Sequence, residues 1–163
     1  MSPIGRALVA ACVTFGMSAL GGHAAMACPT RPNLTASIVE SLPADFSPDP
    51  WMRTITAGGR VRLQDCGLNF PGYVGRNPDL QFAFSGDVPS TPFTIALEAE
   101  AGFDGILLVR TPDGSWRYSD DYRGKNPAIV FRNPREGQYF VWAGSYDPSS
   151  DRAARLIVTR MNH

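Results

Sequence analysis

From Arg53 onward the chain alternates apolar and polar positions in short runs separated by turn residues. Asp79–Ser85 places Leu80, Phe82 and Phe84 on one side. Phe93–Ala101 places Phe93, Ile95, Leu97, Ala99 and Ala101 on one face, and Thr94, Glu98 and Glu100 on the other. That period of two marks half-exposed strands. Ile106–Val109 is apolar at every position, as expected of a strand covered on both faces. Ser115–Ser119, Ala128–Arg132, Gln138–Ser145 and Ala154–Thr159 continue the series, and Phe140 and Trp142 in the third of these read as core.

The punctuation agrees with strands. Gly58-Gly59, between Arg53–Ala57 and Arg60–Asp65, is a two-residue hairpin signal. Thr111-Pro112-Asp113-Gly114 is a turn: Pro presets φ, Asp favours the bend, and Gly accepts positive φ. No run supports a helix of three turns. The pattern predicts an all-β fold, a jelly-roll-like antiparallel β-sandwich of about 8–10 strands.

The first residues have a different character. Arg6 precedes an uncharged, largely apolar run from Ala7 to Leu20, and Ala25 and Ala27 place small residues before Cys28. This predicts a signal peptide over residues 1–27, cleaved after Ala27 and too short in its apolar run to span a membrane. A retained anchor helix and lipidation of Cys28 are the alternatives. Residues 28–52 carry Pro29, Pro32, Pro43, Pro48 and Pro50 and read as a Pro-rich N-terminal arm with at most a short strand near Ser37–Glu40. The sandwich domain is expected over residues 53–163.

Composition narrows the compartment and the partners. The 163 residues are 44% apolar and 18% charged, with 16 Gly and 14 Pro, a globular and turn-rich mixture. Fifteen basic and 15 acidic side chains leave no net charge, which argues against nucleic acid as a partner. Cleavage after Ala27 removes Cys12 and leaves Cys28 and Cys66, an even pair in an oxidising compartment and so a predicted disulfide. The expected location is the periplasm or the medium, with no transmembrane segment after cleavage.

Residues 104–158 add a resemblance. An apolar strand, a Pro-Asp-Gly turn, a Trp-bearing strand, Asp120-Asp121, Asn126-Pro127 and then Gly137-Gln138-Tyr139-Phe140-Val141-Trp142-Ala143-Gly144-Ser145-Tyr146 follow in order. This succession resembles the bacterial pre-peptidase C-terminal domain, a small jelly-roll-like sandwich often appended to secreted proteases. The upstream stretch Asp65-Cys66-Gly67 to Gly72-Tyr73-Val74 and Pro78-Asp79 resembles small exported alphaproteobacterial proteins carrying one such domain. The resemblance implies a fold and an exported, accessory role; its motifs are turn and core positions.

Chemistry is limited by what is missing. With residues 1–27 removed, His163 is the remaining histidine, at the chain end, so Ser-His-Asp and Cys-His machinery are not expected. Zinc and copper sites lack ligands. Carboxylates remain. Asp104 and Asp120 fall at the open end of a hairpin turning at Pro112–Gly114, with Asp121 and Asn126 in the next loop. Oxygen ligands from two strand ends and a loop suit Ca²⁺. The competing reading makes these aspartates turn residues and partners of Arg110, Arg117, Arg123 and Lys125. Trp116 and Tyr118 share a strand face, and Tyr122 lies in the following loop; exposed aromatics of this kind stack on sugars or anchor proteins.

The sequence thus points to a non-catalytic exported binding or accessory module, with or without Ca²⁺, for a carbohydrate or protein ligand of the envelope. A small carboxylate-dependent hydrolase acting on polysaccharide is one alternative. An inhibitor or partner of another exported protein is another.

Overall fold

The computed structural model describes residues 28–31, 34–86, 91–148 and 150–161. The expected signal peptide over residues 1–27 and His163 lie outside the described residues. Among the described residues eleven strands form two sheets, and the fold is an all-β sandwich. The larger sheet holds β1 (Ile38–Pro43), β3 (Val61–Arg62), β4 (Tyr73–Val74), β5 (Leu80–Ser85), β7 (Gly105–Arg110), β8 (Trp116–Ser119) and β10 (Gly137–Ser145). The smaller runs β2–β11–β6–β9, built from Trp51–Ala57, Arg152–Thr159, Phe93–Ala99 and Ala128–Phe131. All pairings are antiparallel except β1 with β5, which is parallel.

Two sequence expectations are corrected. Arg53–Ala57 and Arg60–Asp65 do not form a hairpin: β2 pairs with β11 in one sheet, while β3 pairs with β4 in the other. Gly58-Gly59 is therefore a crossing between sheets. A Cβ on Gly59 would run into the Val74 backbone, and its φ of 135° lies where side chains are rarely tolerated. The second segment ends as a strand at Arg62, because Gln64–Cys66 coils into a 3-10 turn. The Pro-rich stretch holds a short strand where one was expected, near Ser37–Glu40: Ile38–Pro43 is an edge strand of the larger sheet, and β2 begins at Trp51. Prolines bracket these strands, and the one inside, Pro43, closes β1, where a missing N–H costs least.

The core follows from the alternation. Leu80, Phe82 and Phe84 of β5, Leu107 and Val109 of β7 and Tyr139 and Val141 of β10 face Phe93, Ile95, Leu97, Leu156 and Val158 of the smaller sheet. Its centre is aromatic, with Phe82 and Tyr139 stacked at 5.0 Å and Phe93 set edge-on to both. The Tyr139 hydroxyl is satisfied twice, donating to the Arg135 carbonyl at 2.8 Å and accepting the Arg135 N–H at 3.0 Å. At one end Asp49 takes the Thr159 hydroxyl at 2.8 Å and the Arg160 guanidinium at 2.9 Å, tying the loop before β2 to the end of β11.

β7 is covered on both faces, as its unbroken apolar run requires. Ile106 and Leu108 point away from the sandwich into a second cluster with Val61, Leu63, Leu68, Val74 and Trp142. Chain from Val61 to Phe70 and Leu34 of the N-terminal segment cover this outer face.

Candidate functional site

The site arises from that doubly covered sheet. Successive side chains of a strand point to opposite faces, so cross-strand partners form rows on each face. On the outer face one row runs Gln81 (β5), Phe140 (β10), Arg110 (β7) and Trp116 (β8), each paired with the next. The neighbouring position on β10 is Trp142. The N-terminal segment passes over this row, because Cys28 is disulfide-bonded to Cys66 of the 3-10 turn.

Between segment and sheet lies a pocket of about 230 Å³ lined by Pro29, Arg31, Leu34, Gln81, Arg110, Phe140 and Trp142. Its apolar part is Leu34, Phe140 and the almost wholly buried Trp142. Its polar part is two guanidiniums and one amide, and Gln81 is oriented by donating to Gln138 at 3.2 Å. Arg110 lies over the Trp116 ring at 5.9 Å, and neither Arg31 nor Arg110 has a carboxylate partner among the described residues. Two unpaired cations beside an apolar wall form a receptor for an anion with an apolar body.

The structure distributes the sequence-predicted aromatics. Trp116 and Tyr118 are half-buried constituents of the outer-face cluster, Trp116 tilted against Trp142 at 5.6 Å and Tyr118 stacked on Phe70 at 4.9 Å. Burial, seconded by the charge of Asp120, raises the Tyr118 phenol above its ordinary pKa. Tyr122 stands apart in the loop after β8, 50% exposed. Trp116 thus reaches the pocket indirectly, through Arg110.

Two of the predicted carboxylates, Asp104 and Asp120, have local partners. Asp104 accepts from the Lys125 ammonium at 2.8 Å, which raises the lysine pKa. Asp120 caps the Asp121 N–H at 3.0 Å, and the Asn126 side-chain oxygen accepts the Ala99 N–H at 3.3 Å. Asp121 is exposed beside them. Among the described residues no group of three or more His, Cys, Asp or Glu is placed to hold a metal ion. Asp113 belongs to the β7–β8 turn, where the Thr111 hydroxyl and the Ser115 N–H lower its pKa to about 2.

The sequence reading did not single out Arg31 and Gln81 and considered Arg110 only as a partner for aspartates. The signal for Arg110 was its place at the end of an otherwise apolar strand. Nothing local marked Arg31, which the disulfide brings to the site.

No family model and no curated protein matches the chain. Solved structures do. The pre-peptidase C-terminal domain of Bacillus anthracis collagenase is similar over 78% of this chain and 99% of its own, at 14% identity and TM-score 0.48. A periplasmic inhibitor of g-type lysozyme from Aeromonas hydrophila covers 74% of this chain and 96% of its own, at 10% identity and TM-score 0.39. A surface-associated copper-binding protein of Methylomicrobium album BG8 covers 74% and 98%, at 13% identity and TM-score 0.42. The first of these is the kind of domain that residues 104–158 resemble. Among the described residues no helix is long and apolar enough to cross a membrane.

Proposed function

We propose that this chain is an exported, non-catalytic binding module that takes an acidic saccharide of the cell envelope into the pocket beneath its N-terminal segment. The observation that carries this reading is the pair Arg31 and Arg110, lining one pocket of about 230 Å³ with no carboxylate partner among the described residues. Guanidinium forks match carboxylate and phosphate geometry, and their weak hydration favours exchange of water for ligand. Leu34 and Phe140 supply contact for the body of the ligand. The Cys28–Cys66 disulfide supports an oxidising compartment.

The test is titration of the oxidised protein with galacturonate oligomers and with neutral oligomers of equal length, followed by tryptophan fluorescence and amide chemical shifts. Acidic oligomers should bind and neutral ones should not. Arg31→Gln and Arg110→Gln should each weaken binding by about tenfold or more, and added salt should weaken it further. Equal binding of both oligomers, or unchanged affinity in both variants, defeats the proposal.

A second reading has one observation in its favour. Val39 of β1 pairs with Gln81 at the end of the same row and is 65% exposed, extending the strip beyond the pocket. An acidic surface of another exported protein fits that larger footprint. Its sign is one envelope protein retained stoichiometrically by the wild type and released by Arg110→Gln.

A further inference from the structure

A second groove, on the open edge of the sandwich between β1 and β2, has a volume of about 550 Å³. It is lined by Ser37, Ile38, Thr54, Ile55, Thr56, Asp79 and Ala153. Asp79 is the one ionisable residue among them. Its carboxylate accepts the Ala143 N–H at 2.8 Å, at the point where β10 stops pairing with β5 and has not yet met β4. The Gly58 N–H donates to the Ala143 carbonyl at 3.0 Å, so the gap in the ladder is closed from both sides.

That structural duty needs an acceptor, and it does not need a charge. An asparagine oxygen in the same place accepts the same N–H without the cost of desolvating an anion. Asp79 has no cationic partner among the described residues. The charged side chains on the surrounding elements are engaged elsewhere or act too weakly to matter: Glu40 and Arg53 pair with each other at 3.0 Å, and Asp151 takes the Gly59 N–H. Arg152 lies exposed at the start of β11, and the Asp79 titration is set by burial and backbone hydrogen bonds, with no charged neighbour contributing.

We propose that this groove binds an alkylammonium group, seated on the Asp79 carboxylate. An ammonium has three donors, and the hydroxyl-bearing Ser37, Thr54 and Thr56 line the same groove as the carboxylate. Ile38 and Ile55 provide apolar walls for an alkyl stem. The lining holds no second carboxylate, so the pair needed for glycoside hydrolysis is absent from this groove and the chemistry is binding. The ligand charge is opposite to that taken by the Arg31/Arg110 pocket, and the two sites are tested by different probes.

Amide chemical shifts of the oxidised protein should be followed with two probes, spermidine and a short peptide with one internal lysine. At pH 7.5 at least one should move Ile55, Asp79 and Ala153, with spermidine alone marking a free polyamine and the peptide marking a protein side chain. Affinity should fall by about tenfold or more at pH 4.5 and in Asp79→Asn, and the Asp79 titration midpoint should drop on adding probe. Thr54→Lys, at an exposed strand position, should block both probes by supplying its own ammonium. No shift with either probe at about 20 mM, or unchanged binding in Asp79→Asn and Thr54→Lys, overturns the proposal.

Discussion

Arg110 and Trp116 are direct cross-strand partners at the turn end of the β7–β8 hairpin, with the guanidinium 5.9 Å from the ring centroid. The tryptophan ring supports a cation that has no carboxylate partner among the described residues, and that cation lines the pocket. A cation–π contact of this kind is worth about 0.5–1 kcal/mol. Trp116→Ala also removes packing against Trp142, so it should cost about 2–3 kcal/mol in urea denaturation, against under about 1 kcal/mol for Arg110→Gln. If Arg110→Gln proves the more destabilising of the two, the guanidinium is structural and its availability to a ligand is lost.

The Cys28–Cys66 bond closes a sequence separation of 38 residues. Chain-entropy arithmetic gives about 4 kcal/mol for that loop. Replacing both cysteines with alanine should lower stability by roughly that amount and abolish binding of acidic probes, since Pro29, Arg31 and Leu34 lose their tether. A double variant that still binds with native affinity shows that the segment docks unaided.

Asp79 sets a pH dependence with an unusual sign. Burial raises its pKa from 3.8 to about 6, in spite of the Ala143 hydrogen bond. Between those values the folded form holds the proton more tightly than the unfolded chain, so the contribution of this group to stability falls as pH rises from about 4 through about 6. Asp79→Asn should flatten that segment of the curve and stabilise the protein by roughly 1–3 kcal/mol at pH 7.5. Thermal melts at pH 4.5, 6 and 7.5 compare the two forms directly; parallel curves refute the assignment.

Calcium should leave the melting midpoint unchanged between EDTA and millimolar Ca²⁺. Asp104 is committed to Lys125 and the Asn126 oxygen to the Ala99 N–H. An ion bound at a hundred times its dissociation constant adds about 2.7 kcal/mol, which a melt detects easily. A rise of several degrees means that these groups abandon their present partners for the ion.

Gly59→Ala should cost about 2–4 kcal/mol, because the added methyl meets the Val74 backbone at a φ of 135°. Gly114→Ala is the control: it shares a positive φ but has no atom within 4 Å of the new carbon, and it should cost less. Equal costs locate the effect in the dihedral alone.

The fold class, most strands and the core were legible in the sequence. Alternation along β5 and β6, and the unbroken apolar run of β7, state how many faces of each strand are covered, since side-chain direction in a strand has a period of two. The Pro112–Gly114 turn was legible too, since its dihedrals need those residue types, and the expected Cys28–Cys66 pair is the disulfide of the structure. Gly58-Gly59 misled, because a glycine pair states that backbone must bend or pass closely without stating which strands it joins. The sites were decided by tertiary structure alone. Arg31 and Arg110 are 79 positions apart, and only a disulfide and a sheet face bring them to one pocket. Asp79 reads locally as one more turn aspartate; its burial depends on where β10 leaves β5 and on β2 closing the other wall. Burial and charge pairing are sums over neighbours distant in the chain, and a linear pattern does not contain them.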